Sequence, residues 1–427
     1  VSFLDNIMVG QLGTEQMSGV AIVNQLIFVY NLAIFGAVSA ASIFGAQYFG
    51  KGNHKGHMYS FRFKLYATLL VTGGAILLFL TKGSALISLY LTDTVGNGAT
   101  DLALQYGLEY LAIMMVGLIP FAVNQSYATN IKETGQTFIP MLASFVAVGT
   151  NAILDYLMIF GIGPFPELGV QGAALATVIA RYIEALIVVI WAHIHRGKNR
   201  YLEGAYTGFG IPLAELKAIL IKGFPLMMNE VLWAAGMTTV TQCYSVRGLD
   251  VVAGLNIAST ITNLFNIVYL QLGSCISIVV GQYLGAGKLE DAKDADNKMI
   301  VFSVFCCVIM AALMFVVGGF FPGIYNTTEE IRELATSFIA VSAIIMPFCA
   351  FSHASYFTLR SGGKTVVTFL FDSVFTWVIV VPAAYLLAHF TGLGIVSIYF
   401  LVQGTELIKV IIGYLMVKSN VWVVQMV

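Results

Sequence analysis

Long apolar segments separated by short polar breaks run through the whole of this 427-residue sequence. Several of them are longer than the roughly 20 apolar residues that a helix needs to cross a bilayer. Charged residues make up only 10% of the chain, against 58% hydrophobic residues, and the mean hydropathy is +0.86. A surface that faces water needs about 25% charged residues, so most of this surface is expected to face lipid.

The pattern predicts an all-α integral membrane protein with twelve transmembrane helices. Residues 1–10 are too short to span a bilayer and begin without Met, so the first helix is expected to be truncated. Other segments exceed the minimum length, which predicts tilt or extension beyond the bilayer. The predicted spans are residues 1–10, 17–49, 58–81, 102–131, 137–161, 168–194, 214–246, 251–284, 292–320, 329–360, 365–390 and 392–418.

Basic residues are distributed unevenly between the two ends of these spans. Seventeen of them fall at the breaks after even-numbered helices or at the C-terminus, and only Lys82, Arg247 and Arg332 fall on the opposite side. Because basic loops stay in the cytoplasm, both termini are expected to be cytoplasmic in a multi-pass protein of the cell membrane. The seventeen are Lys51, Lys55, Arg62, Lys64, Lys132, Arg196, Lys198, Arg200, Lys217, Lys222, Lys288, Lys293, Lys298, Arg360, Lys364, Lys409 and Lys418.

The sequence also repeats itself at an offset of 235 residues, which pairs Gly13 with Gly248 and the segment 42–52 with 277–287. An even number of spans separates the copies, so the two halves are expected to have parallel topology, related by an axis along the membrane normal. We therefore predict two pseudo-symmetric six-helix lobes: an N-lobe (residues 1–194), a cytoplasmic linker (195–213) and a C-lobe (214–427).

Motifs for other functions are missing from the sequence. The five cysteines lie in apolar runs without metal-ligand spacing, and there is no HExxH pair or phosphate-binding GxxxxGK[ST] loop. Basic residues do not cluster as nucleic-acid binding would require. We predict no catalytic residue, metal site, cofactor or nucleic-acid partner.

Charged residues within the apolar segments are costly in lipid and therefore mark candidate functional sites. Arg181 and Glu184 are three residues apart and could neutralise each other. Asp5, Asp155, Glu230 and Asp372 have no basic residue at helical spacing, and such acids can cycle between protonated and ionised states. They could carry a proton or a cation, or they could be protonated acids hydrogen-bonded to a neighbouring helix. Glu406 stays open.

Several motifs in order along the chain resemble the multidrug and toxic compound extrusion (MATE) family of the MOP superfamily, including its bacterial DinF-like and NorM-like members. The resemblance covers essentially the whole chain. The motifs are Asp5-Asn6-Ile7-Met8-Val9-Gly10, Ala46-Gln47-Tyr48-Phe49-Gly50, Asn151-Ala152-Ile153-Leu154-Asp155, Gly172-Ala173-Ala174-Leu175-Ala176-Thr177, Gly223-Phe224-Pro225 with Glu230, and Arg360-Ser361-Gly362-Gly363-Lys364-Thr365.

This resemblance implies export of small organic molecules, with cationic amphiphiles expected, in exchange for protons or sodium ions, by alternating access of two lobes around a cleft. The cation site of the N-lobe would comprise four residues: Asp5, Asn151, Asp155 and Thr177. Glu230 would be the acid of the C-lobe. The position at which NorM-type members carry a second C-lobe acid falls on Lys364, eight residues before Asp372, so the N-lobe site is favoured.

Three alternatives remain at this point. A lipid-linked precursor flippase of the same superfamily would need basic residues for a pyrophosphate, and the sequence offers Arg181 alone. An intramembrane enzyme would need a nucleophile–base or metal constellation, which the sequence does not show. A channel would not need the duplication. The expected partners are a small organic substrate and membrane lipid, and the expected state is a monomer.

The charge asymmetry generates a test of orientation. A cysteine replacing Leu289, in the break after the eighth predicted helix, should react with an impermeant thiol reagent from the cytoplasmic side only. A cysteine replacing Asn326 should react from outside only. The unsubstituted chain, with its five native cysteines, is the background control, and labelling of Leu289→Cys from outside in sealed cells would contradict the predicted orientation.

Overall fold

The computed structural model describes all residues except 1–7, 92–98, 209 and 326, and every regular element in these ranges is helical. The truncated first helix predicted for residues 1–10 lies largely outside the described residues. The helices are α1 (Thr14–Gly50), α2 (His54–Ser88), α3 (Ala99–Val116), α4 (Leu118–Glu133), α5 (Phe138–Ile159), α6 (Val170–Ile194), α7 (Leu213–Ser245), α8 (Leu249–Gly285), α9 (Leu289–Gly318), α10 (Glu329–Ser361), α11 (Thr365–Phe390) and α12 (Ile395–Lys418).

Ten of these helices are long and apolar enough to cross a membrane, and α3 and α4 pass the same test together, as one span bent by 43°. The prediction of apolar spanning helices from residue 17 onward is therefore confirmed within the described part of the chain. The bend at residues 117–118 has a local cause. Pro120, in the first turn of α4, lacks the N–H that a continuous helix would direct at the carbonyl of Val116.

Two C-terminal spans that the sequence predicts as continuous are interrupted. α11 contains two π-helical segments, Leu370–Val374 and Thr376–Val380, followed by Pro382 near the start of its last α-helical part. α12 consists of Ile395–Gly404 and Glu406–Lys418, with a break at Thr405. Single π turns inside α-helices frequently mark functional sites, so both interruptions matter for the site described below.

The described chain forms two compact units. The first contains residues up to 45 together with 54–216, and the second contains residues 46–53 together with 217–427. In the first unit, the apolar core surrounds Val23, Tyr30 and Met114. In the second unit, the main core surrounds Phe265, Phe338 and Met346.

Part of the predicted linker packs against the first unit. The Arg62 guanidinium, from α2, donates hydrogen bonds to the carbonyls of Gly204, Ala205 and Gly210. Tyr201 is fully buried against the ring of Phe61. Arg62 is thus a buried side chain that holds the linker in place. Lys64, Arg360 and Lys409, which were also counted with the loops, are buried as well.

Within the second unit, two matched copies of the repeat cross each other. A Cβ atom on Gly50 would lie 1.9 Å from the carbonyl oxygen of Gln282, and a Cβ atom on Gly285 would lie 2.0 Å from that of Gln47. Gly50 and Gln47 are the repeat partners of Gly285 and Gln282 at the offset of 235, so the two contacts are reciprocal. Only glycine permits this approach of the backbones.

Residues 422–426, named here the C-terminal strap, lie against this crossing. The Gln47 amide donates to the carbonyls of Ser361 and Val424, and its oxygen accepts the N–H of Met426 at 2.8 Å. The Gln425 amide donates to the carbonyl of Gly285. The strap therefore ties the ends of α1 and α8 to the end of α10.

A buried ion cluster joins three helices of the first unit. The Glu133 carboxylate, at the end of α4, accepts the Lys64 ammonium of α2 at 2.6 Å and lies 3.2 Å from the His57 ring nitrogen. Ser42, on α1, donates to the same carboxylate, and Asn130 accepts from Lys64 at 2.7 Å. Lys64 and Glu133 have no exposed surface, so the pair is stable only because each charge is matched by hydrogen bonds.

The crossing of the repeats predicts a specific intolerance. Replacing Gly285 with Ala should lower the unfolding temperature of the detergent-solubilised protein, because the added methyl group overlaps the Gln47 backbone at a cost of about 1–3 kcal/mol. Gly74→Ala is the matched control, since that helical glycine has nothing near its missing Cβ. Equal melting of the Gly285 variant and the control would contradict the close crossing.

The ion cluster predicts an asymmetric mutational effect. Glu133→Gln should destabilise the protein by about 3–5 kcal/mol, because it leaves the Lys64 ammonium buried without a countercharge. The double variant Glu133→Gln/Lys64→Met removes both charges and should recover most of that loss in thermal unfolding. Glu203→Gln, at an exposed surface pair with Arg200, is the control and should leave stability unchanged. A double variant no more stable than the single one would refute this account.

Candidate functional site

Three of the four predicted residues of the N-lobe site lie on adjacent faces of α5 and α6. Asn151 and Asp155 are one turn apart on α5, and the Asn151 amide donates to the Thr177 hydroxyl of α6 at 3.3 Å. All three side chains are buried. The helices can approach because Gly172 lies against the Met158 backbone, where a Cβ would be 2.6 Å from its carbonyl oxygen. Asp5 lies outside the described residues.

The second unit contains the two remaining predicted residues, Glu230 on α7 and Asp372 on α11. The expectation that Asp372 lacks a basic partner is wrong. The Lys409 ammonium, on α12, lies 2.7 Å from one oxygen of the Asp372 carboxylate, and both side chains are largely buried. The partner comes from another helix 37 residues away, so spacing along a single helix could not reveal it.

The other oxygen of Asp372 is held from α7. The Asn229 amide donates to it at 3.0 Å, and the hydroxyl of Ser373 donates to both the backbone and the side-chain oxygen of Asn229. Asp372 and Ser373 are consecutive residues of the first π-helical segment of α11, and both side chains form hydrogen bonds with Asn229 of α7. Gly236 permits the contact, since a Cβ there would lie 2.7 Å from Thr376.

Glu230 follows Asn229 directly and lies in the same polar region. The charged groups that act on its carboxyl are the Arg360 guanidinium and the Asp372 carboxylate. Tyr356, whose hydroxyl accepts from Asn229, is influenced by the same three charges. Glu230 and Asp372 are therefore parts of one electrostatic group, which the sequence had treated as separate candidates.

A third carboxyl group, Glu406, belongs to this region. It lies one turn before Lys409 on α12, and its charge acts on Lys409 and on His353. One of its oxygens is buried and has no hydrogen-bond partner among the described residues. We name Glu230, Asp372, Glu406, Arg360 and Lys409 the C-terminal charge cluster.

The C-terminal charge cluster is not balanced by its own side chains. It contains three carboxyl groups and two strongly basic groups, Arg360 and Lys409, with the weakly basic His353 beside it. Charge buried in a membrane protein must be compensated, so this composition leaves room for one further positive charge, a proton or a cation. The buried Glu133 of the first unit differs, because it has both Lys64 and His57 as partners.

Sequence reasoning missed Lys409, Arg360 and Asn229. Lys409 and Arg360 lie near predicted span ends and were therefore counted as loop residues. A signal was available for Lys409, which follows Glu406 by three residues inside an apolar run. Arg181 and Glu184, which the sequence suggested could neutralise each other, each form a hydrogen bond with another residue. Arg181 donates to the Gly117 carbonyl, and Glu184 accepts from Ser144.

The sequence of this chain is similar to those of bacterial proteins described as probable multidrug resistance proteins. The chain is 23% identical over 395 residues to a probable multidrug resistance protein NorM of Thermotoga maritima, which covers 92% of this chain and 82% of that protein. It is 24% identical over 396 residues to the protein of the same description from Halalkalibacterium halodurans, with 92% and 84% coverage.

Solved structures share the fold at low sequence identity. One is described as an outward-facing multidrug resistance MATE family transporter of the MOP superfamily, with a TM-score of 0.87, 19% identity, and coverage of 98% of this chain and 90% of that one. Another is a MATE in the bent conformation, with a TM-score of 0.85, 20% identity and the same coverage. The profile of the family described as MatE matches residues 1–157 and 225–386, which is well over half of the chain. This chain therefore belongs to the MATE family of membrane transporters.

Proposed function

We propose that this chain exports small organic compounds, with cationic amphiphiles as the expected class, in exchange for protons or sodium ions. The observation that carries the ion exchange is the C-terminal charge cluster, in which three carboxyl groups face two strongly basic groups. A transported proton or cation would complete this balance. The multidrug descriptions of the relatives support the substrate class.

The N-terminal unit supports the same proposal through a second acid. Asp155 is fully buried on a membrane-spanning helix, one turn from Asn151, whose amide reaches Thr177. Carboxylate, amide and hydroxyl oxygens are suitable ligands for a proton or a hard cation. We propose that Asp155 in the first unit and Glu230 in the second are carboxyl groups required for ion coupling, and that Asp5 acts with Asp155.

The internal repeat suggests how transport would proceed. Parallel repeats in transporters commonly move against each other and expose a central site to each side of the membrane in turn. We propose alternating access of this kind, with both termini in the cytoplasm. The labelling experiment described for Leu289 and Asn326 tests the orientation independently of transport.

The proposal predicts loss of ion-driven export on neutralising either acid. In proteoliposomes preloaded with a fluorescent cationic dye, wild-type protein should accelerate dye movement when a proton or sodium gradient is imposed. Asp155→Asn and Glu230→Gln should each reduce this gradient-driven component to the level of protein-free liposomes, because neither amide can bind and release a proton. Separate proton and sodium gradients identify the coupling ion.

Asp250→Asn is the control for both variants. Asp250 is an exposed acid in the first turn of α8, so its neutralisation should leave export unchanged. Wild-type rates in both the Asp155 and the Glu230 variants would remove these carboxyl groups from the mechanism. A wild-type protein that moves the dye under neither gradient would refute the proposed function itself.

The alternative of a lipid-linked precursor flippase receives less support. Such a protein would use basic side chains to bind a pyrophosphate. The structure does bury more basic side chains than Arg181, but Lys64 and Lys409 are engaged by Glu133 and Asp372. These two lysines are thus already matched by carboxylates, and the guanidinium of Arg62 is engaged by backbone carbonyls.

A further inference from the structure

The ion pair of Asp372 with Lys409 has a geometry that bears on ion binding, and its interpretation rests on the proposed ion exchange. The ammonium of Lys409 contacts one carboxylate oxygen of Asp372 at 2.7 Å, and Asn229 donates to the other at 3.0 Å. The ammonium also lies 5.5 Å from the ring centre of Phe371 and 6.0 Å from that of Phe375. Lys409 therefore occupies the place at which a free cation would bind Asp372.

The backbone around Asp372 is not that of a regular helix. Asp372 lies in the π-helical segment Leu370–Val374, and a second such segment, Thr376–Val380, follows at once. π-helical turns are less stable than α-helical ones and concentrate at functional sites. Their presence at this carboxylate indicates that its position serves more than the packing of α11.

A second carboxylate that could bind the Lys409 ammonium, that of Glu406, lies on the same helix as Lys409. Glu406 lies three residues before Lys409, on the same face, directly after the break of α12 at Thr405. One of its oxygens is buried without a hydrogen-bond partner among the described residues. A buried unsatisfied carboxylate oxygen is costly, so an ammonium that moved to it would be well accommodated.

We propose that Lys409 is a tethered internal cation, seated on Asp372 in this state and transferred to Glu406 when a transported proton or sodium ion takes its place on Asp372. The incoming charge replaces the ammonium on Asp372, and the displaced ammonium lies against Glu406, so the C-terminal charge cluster gains the one positive charge that its own side chains lack. Lys409 is thus a positioning residue that competes with the transported ion and sets how readily the C-terminal unit binds it.

Other titratable groups face the same region, and their protonation would also change the charge of the site. Glu230 and Arg360 lie on α7 and α10, and His353 on α10 is influenced by Lys409, Asp372 and Glu406 together. Tyr356 is influenced by Glu230, Arg360 and Asp372. The test is therefore built on charge removal at the pair and on sodium binding, and does not depend on a pH profile.

A purely structural pair makes a different prediction from a tethered cation. If the pair only joins α11 to α12, replacing both members with neutral side chains should leave coupled transport intact, because neutral replacements of buried ion pairs are commonly tolerated. If Lys409 competes with the transported ion, the double variant Asp372→Asn/Lys409→Met should fold, lose gradient-driven dye export and retain dye equilibration without a gradient. Gradient-driven export at the wild-type rate in this double variant would overturn the proposal.

Sodium binding provides a readout that needs no transport. In Lys409→Met, Asp372 loses its ammonium, and an added sodium ion should replace it and raise the unfolding temperature, since a ligand that binds only the folded state stabilises it. Sodium chloride is compared with choline chloride at equal ionic strength. Wild-type protein, the Asp372→Asn/Lys409→Met variant and the control Lys418→Met, an exposed lysine at the end of α12, should each show a smaller sodium-specific rise than Lys409→Met. A rise in Lys409→Met no larger than in wild-type protein would overturn the proposal.

A Lys409→Met variant that folds but shows no sodium-specific rise would also overturn the proposal. If this variant does not fold, the transport result of the double variant decides alone. Lys409→Arg keeps a cation at the site and should retain part of the coupling. Failure of the proposed function is recognised separately, because wild-type protein would then move no dye under either gradient while the sodium measurement still reports on Asp372.

Discussion

A charge inside a helix that crosses lipid has to be neutralised either by another side chain or by an ion taken up from outside. The two units of this chain meet that requirement differently. In the first unit, the Glu133 carboxylate is surrounded by Lys64, His57 and Ser42. The absence of a Cβ at Gly45 leaves room for this carboxylate, because a Cβ there would overlap it. In the C-terminal charge cluster of the second unit, three carboxyl groups face only two strongly basic side chains, Arg360 and Lys409. The cluster around Glu133 is closed, whereas the C-terminal charge cluster would be completed by the proton or cation proposed above.

This difference explains why burial alone is a poor guide to function in such proteins. Lys64 and Glu133 are more deeply buried than Asp372 and Lys409, yet their hydrogen bonds are nearly complete within the chain. Asp372 lies in an irregular helix, and its partner Lys409 is influenced by Glu406, one oxygen of which has no hydrogen-bond partner among the described residues. If the proposed ion exchange holds, incomplete hydrogen bonding together with irregular backbone distinguishes the site that exchanges ions from the cluster that only fixes helices.

The sequence was sufficient to predict the spans, because apolar run length is a property of contiguous residues. The repeat also identified Gly50 and Gly285 as equivalent positions, although their reciprocal contacts were found only in the structure. The sequence could not predict the Asp372–Lys409 pair, which depends on the rotation of two helices about their axes. Position near the end of a span made Lys409 and Arg360 look like loop residues, although their side chains point into the protein. The π-helical segments have no recognisable signature in the residues of α11.

The C-terminal strap makes the two copies of the repeat unequal. Two matched segments meet at the crossing of Gly50 and Gly285, but one strap lies against both. With the first copy, the strap bonds to a side chain, because the Met426 N–H donates to the Gln47 side-chain oxygen. With the second copy, it bonds to the backbone, because the Gln425 amide donates to the Gly285 carbonyl. A side-chain bond depends on residue identity, whereas a carbonyl is supplied by any residue. After a gene duplication, identical glutamines at positions 47 and 282 would therefore come under different selection, and substitutions that one copy accumulates could not simply be exchanged into the other.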